Sequence, residues 1–155
     1  MQPMDERIQY VIKLFYYPMW FIKLNKDIAC PCVDHNTKQP IPGCPLCLGT
    51  GHKIKIIRAK AARQTTENSA FRGEGIGFSE KNATDRFFTL DNLELKEDDI
   101  IVDNGNVNIV QYYMPGRTDA SHPVYYRTIA SRKKVDVEVF LRTFYEILAK
   151  RGYKG

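Results

Sequence analysis

Leu95-Lys-Glu-Asp-Asp-Ile-Ile-Val-Asp-Asn-Gly-Asn-Val-Asn-Ile-Val110 is the stretch that decides the fold. A charged turn leads into a short apolar run from Asp99 to Val102. Asp103-Asn104-Gly105-Asn106 then supplies the Asn-Gly pair that suits a tight hairpin loop. Val107 to Tyr113 returns as the partner strand until Pro115-Gly116 breaks it. Arg86 to Leu90 on one side, and Val124 to Ala130 beyond the Thr118–Pro123 loop, add two more short strands, so the region reads as a β meander. After it, Val137, Leu141, Phe144 and Leu148 recur at i, i+4, i+7 and i+11, the apolar stripe of a helix. Asp136 is its expected N-cap, Lys150 and Arg151 suit its negative end, and Gly152 suits the stop. The fold expected is therefore mainly β, a small barrel or sandwich, with a C-terminal helix packed across it.

Upstream the pattern is mixed. Ile8, Val11, Ile12 and Phe15 predict a short helix after Asp5, while Tyr16-Tyr17 before Pro18 reads as extended chain. Trp20 to Leu24 reads as a strand, with Trp20 a packing residue. From His52 to Ala61, Ile54 and Ile56 alternate with Lys53 and Lys55, a second strand. Residues 28–53 form an excursion that carries all four cysteines of the chain.

Those cysteines lie as Cys30-Pro31-Cys32 and Cys44-Pro45-Leu46-Cys47, eleven residues apart. Two short Cys pairs joined by a loop can place four thiolates at the corners of a tetrahedron, which is what structural zinc requires. Cys30, Cys32, Cys44 and Cys47 are thus the expected ligands of one Zn2+, in a zinc-ribbon-like excursion. Four thiolates close the shell and leave no position for substrate. Pro31 and Pro45 stiffen the pairs, and Gly43, Gly49 and Gly51 permit tight turns. His35 and His52 stand close enough in sequence to replace a cysteine. Two disulfides or a redox CxxC are the competing readings. The first wants an oxidising compartment and awkward CxC bridges; the second normally starts a helix. Cys44 to Gly51 resembles the CxxCxGxG knuckle of the cysteine-rich zinc domains of J-domain co-chaperones, although CPC has one spacer residue where a knuckle usually has two.

At 155 residues the chain suits a single domain, 1–155, large enough for a real core. The longest candidate span, Val11 to Leu24, is broken by Lys13, Pro18 and Lys23 and falls short of the about 20 apolar residues a membrane helix needs. No secretory signal is expected from MQPMDER. Charge is segregated. Residues 1–63 carry ten Lys/Arg and four Asp/Glu (+6), residues 64–131 six and eleven (−5), and residues 132–155 seven and three (+4). Basic ends could face nucleic acid or an acidic protein, or meet the acidic middle of another copy. The GEGIG run at Gly73–Gly77 lacks the Lys-Ser/Thr of a phosphate loop and reads as a mobile loop. Asp98, Asp99 and Asp103 read as strand-end and turn residues rather than a cation site. No catalytic motif is present, and no enzyme is expected.

The register from Leu95 to Val110, with the strand Pro123–Ala130 and the terminal helix, resembles the small β-barrel proteins of tailed-phage necks, over roughly residues 86–149. That resemblance implies a head-completion or stopper protein of the virion, made in the host cytoplasm. It implies a ring of identical subunits between portal or adaptor and tail, with DNA passing through the channel, no membrane and no catalytic residues. The cysteine module would be an embellishment of such a protein. The alternative expectation is a zinc-ribbon nucleic-acid-binding or regulatory protein, drawn from the pI of 9.0 and the basic run Lys53, Lys55, Arg58, Lys60 and Arg63. A co-chaperone fragment ranks below both, because the knuckle does not repeat.

Overall fold

The computed structural model describes residues 4–34, 36–64, 84–116, 118–119 and 122–152. Helix α1 (Met4–Phe15) runs directly into strand β1 (Tyr16–Ala29), as the Tyr16-Tyr17-Pro18 signal required. Strands β2 (His52–Gln64), β3 (Thr84–Thr89), β4 (Ile100–Asp103) and β5 (Asn106–Pro115) follow. A two-stranded flap comes next, β6 (Thr118–Asp119) with β7 (His122–Pro123), and then β8 (Tyr126–Arg132) and helix α2 (Val137–Lys150).

The six long strands close into an antiparallel barrel in the order β1-β2-β3-β8-β5-β4. Asn104 and Gly105 make the β4–β5 turn with φ of 46° and 86°, the left-handed backbone that a two-residue Asn-Gly loop demands. β1 is much longer than Trp20–Leu24. Pro18 sits within it at no cost in ladder bonds, because β1 meets β4 only at Trp20, Phe21 and Ile22. The exposed tail Asn25-Lys26-Asp27 carries no apolar alternation, so nothing in it reads as strand.

Alternation divides the side chains into two cores. Met19, Phe21, Ala61, Phe87, Ile101, Val110 and Ala130 fill the barrel. Trp20, Ile22, Ile56, Ile100, Val102 and Val107 point outward and are covered by Phe140, Phe144, Ile147 and Leu148 of α2. Phe144 meets Trp20 edge to face at 6.0 Å. The helix is rotated slightly from the expected stripe. Phe140 and Ile147 join Phe144 and Leu148 at its centre, while Val137 and Leu141 are half-buried at its margin. Asp136 occupies the N-cap with φ 55°, but its side chain makes no capping hydrogen bond. Gly152 stops the helix at φ 79°.

One end of the barrel interior is polar. Arg63 bridges Asp85 and Asp103, with its Nη1 2.9 Å from Asp103 Oδ2, and the Tyr17 hydroxyl donates to the same oxygen at 2.7 Å. All three charged side chains are nine-tenths or more buried.

Candidate metal centre

β1 ends at Ala29 and β2 begins at His52, so the cysteine segment leaves and re-enters the barrel between paired strands. Its neck is tied by the Cys30 N–H donating to the Gly51 carbonyl at 2.9 Å. Within it, Val33 N–H bonds Cys30 O, Cys44 N–H bonds Ile41 O, and Leu48 N–H bonds Cys44 O, three turns that fold both Cys pairs inward. Leu48 and Gly49 both take positive φ, 56° and 82°, and a Cβ at Gly49 would stand 3.0 Å from the Pro42 carbonyl oxygen. The knuckle therefore needs glycine there for backbone and for space.

Cys30, Cys32, Cys44 and Cys47 converge, their sulfurs all within 4.8 Å of one another. Cys30 Sγ lies 3.7 Å from Cys44 Sγ, and Cys32 Sγ lies 3.4 Å from Cys47 Sγ. All four are free thiols, so the two-disulfide reading does not hold. Cys47 leads through turns into β2 rather than into a helix, which removes the geometry of a redox CxxC. Metal–sulfur bonds of about 2.3 Å in a tetrahedron separate the sulfurs by about 3.8 Å, close to the spacing found. The four thiols could hold a metal ion.

The electrostatics favour one thiolate first. Burial acts to raise the Cys44 thiol, but the N–H groups of Leu46 and Cys47 and the thiols of Cys32 and Cys47 outweigh it and bring it down to about 7. Leu46 N–H points at Cys44 Sγ from 3.4 Å. Burial raises Cys47 to about 12 and raises Cys30 as well. A cation would supply the missing charge compensation and deprotonate both.

His52 opens β2 and does not join the cluster; His35 lies outside the described residues. The Gly73–Gly77 run also lies outside them. The three aspartates have separate partners. Asp98 pairs with Lys26 at 2.9 Å, Asp103 belongs to the Arg63 network, and the buried Asp99 accepts from the backbone N–H groups of Leu24 and Lys96. Burial raises the Asp99 carboxyl despite those two donors.

The basic run on β2 is not one surface. Arg58 lies 4.5 Å over the Trp20 ring, Lys60 lies over Tyr16, and Arg63 is inside the barrel. Only Lys53 and Lys55 remain as a pair, and they face a groove shared with Lys23 and Lys96. Sequence reading missed that cluster, whose signal was the matching parity of Lys23 with Phe21 and of Lys55 with Ile57. It also missed the docking role of Leu48, which is buried in the outer core.

No protein-family model and no curated protein matches the chain. Among the described residues no helix is long and apolar enough to cross a membrane.

Proposed function

We propose that this chain is a non-enzymatic structural subunit of a tailed-phage head–tail connector, a head-completion or stopper protein working as a ring between portal or adaptor and tail. Structural Zn2+ on Cys30, Cys32, Cys44 and Cys47 staples its excursion. The observation that carries the reading is the closed barrel with a C-terminal helix laid across one wall, the architecture that the resemblance over residues 86–149 implies. The outer side of α1 supports it. Val11, Leu14 and Phe15 are more than half exposed, an apolar strip of the kind a repeating subunit interface would cover. The segregated charges, +6, −5 and +4, suit a heterologous contact in which a basic patch meets an acidic one. Surface ion pairs contribute roughly 0–1 kcal/mol each, so apolar burial and a neighbouring ring would have to supply most of the closure.

Mass spectrometry of purified particles and electron microscopy of their necks test this. Finding the chain at the head–tail junction in a ring copy number is the expected result. Absence from particles, combined with tight binding of a defined nucleic-acid sequence at physiological salt, would replace it with the zinc-ribbon alternative.

A further inference from the structure

Beyond its pairing with β4, the β1–β2 ribbon continues as two strands whose inner face is open. There it borders a groove of about 640 Å³ lined by Lys23, Lys26, Lys53, Lys55 and Lys96. Lys23 and Lys55 are direct cross-strand partners in the register, and Lys53, two residues along, faces Asn25. Like charges placed opposite each other on a strand pair are unfavourable, and among the register partners of this ladder no carboxylate stands across from Lys23, Lys53 or Lys55. Lys26 is matched by Asp98. Among the described residues, the ammonium groups of Lys23, Lys53, Lys55 and Lys96 make no hydrogen bond and no ion pair. The acids on the groove wall do not close it. Asp99, whose two oxygens accept from backbone N–H groups, offsets part of the charge of Lys23 and Lys26, and Asp27 and Glu94 are exposed at the rim, so Lys53, Lys55 and Lys96 keep the groove positive.

The geometry points to this groove as a binding surface for the phosphodiester backbone of a nucleic acid, with Lys23, Lys53 and Lys55 as the contacting row and Lys96 on its flank. The lysines are spread along a trough rather than focused on one point. Among the described residues the groove also has no guanidinium and no helix N-terminus to clasp a single phosphate. Lys53 and Lys55 stand about 6.7 Å apart along their strand. Point charges repeating at such an interval along a strand suit an extended polyanion whose own charges repeat along its backbone. Ammonium groups act as flexible point charges, so the contact should be indifferent to base sequence. The inference stands apart from the connector reading: it concerns what the groove binds, whichever assembly contains it.

Fluorescence anisotropy of the full-length protein with a labelled mixed-sequence single strand, titrated between about 50 and 200 mM salt, tests it. The double substitution Lys53→Gln/Lys55→Gln should weaken binding at least about tenfold and make the log–log salt slope shallower by roughly 1.4. Lys53→Arg/Lys55→Arg should retain both affinity and slope. Lys60→Gln, on the opposite face of β2, should change neither. Without nucleic acid the glutamine pair should melt no lower than the parent, since it removes the Lys23–Lys55 repulsion. An unchanged slope in the glutamine pair would overturn the proposal. So would an equal loss from Lys60→Gln, or displacement of the strand by polyglutamate at equal charge concentration. Such outcomes would leave the particle-location test of the connector reading untouched.

Discussion

Leu48, the residue after the last cysteine, is buried in the same apolar cluster as Phe140 of α2. The segment that holds the thiols is thus keyed into the outer core by its own side chain. Gly43 also lies close to the helix, since a Cβ there would stand 3.5 Å from Val139. Whatever orders the cysteines therefore also orders one wall beneath the helix.

Metal content should follow from this. Protein purified without chelator should carry one zinc per chain by elemental analysis, and Cys44→Ser should lose it. Because metal-site binding energy is also folding energy, the variant should melt at a lower temperature and show faster amide exchange from Cys30 to Gly51. Less than half an equivalent of zinc, with disulfides detected by mass spectrometry, would contradict the assignment.

Leu48→Ala should cost about 2–5 kcal/mol, the range for removing a buried leucine side chain. Its signature should be joint: weaker zinc retention against a chelator and lower stability in urea. A loss in only one of the two would mean that the knuckle and the helix are uncoupled.

Two glycines with similar φ separate backbone from space. Gly49 (82°) faces the Pro42 carbonyl at 3.0 Å from a built Cβ, whereas Gly105 (86°) has nothing within 4 Å. Gly105→Ala should cost about 1–2 kcal/mol, the backbone term alone. Gly49→Ala should cost more and should lower zinc affinity. Thermal melts with zinc competition compare them directly.

Arg63→Met should be severely destabilising, by about 3–5 kcal/mol in urea unfolding, because it leaves Asp103 buried without its cation and Asp85 with only the half-exposed Arg132, 3.9 Å away. The triple change Arg63→Met/Asp85→Asn/Asp103→Asn should recover part of that loss. No recovery would show that the arginine acts by packing over Phe87, 5.8 Å away, rather than by charge.

Tyr17 gives an alkaline signature. Burial, and then its bond to Asp103, pushes its phenol up to about 12 from 10.0. A raised value in the folded state means that its contribution to stability is complete below pH 10 and is lost as pH climbs towards 12. The parent should therefore lose stability more steeply than Tyr17→Phe between those pH values. Parallel curves would refute it. Difference absorbance of phenolate should show the late-titrating tyrosine missing from the variant.

What could be read from the amino acids alone was what repeats locally. Asn104-Gly105 announces its turn because few residues accept that backbone, and the Val137–Leu148 stripe announces α2. The cysteine spacing announces a cluster of thiols. Three things were not legible, each because it depends on which strands become neighbours. β1 extends past its apolar part through pairing with β2. Arg63 looked like one of five surface cations until Asp85 and Asp103 met it inside the barrel. Lys23 and Lys96 joined Lys53 and Lys55 only through the register and the β3–β4 connection.

The seam between β1 and β4 holds three residue pairs, against eleven between β1 and β2. Those three pairs join positions 78 to 82 apart in the chain, so they carry the larger loop-closure cost and should be late events in folding. Their outward side chains, Trp20, Ile22, Ile100 and Val102, lie against α2. A growing polypeptide on the ribosome can make the β1–β2 ribbon early but cannot cover this seam until residues 137–150 have emerged. The last helix thus acts as a latch, and an interrupted synthesis product would expose the apolar wall that the finished protein hides.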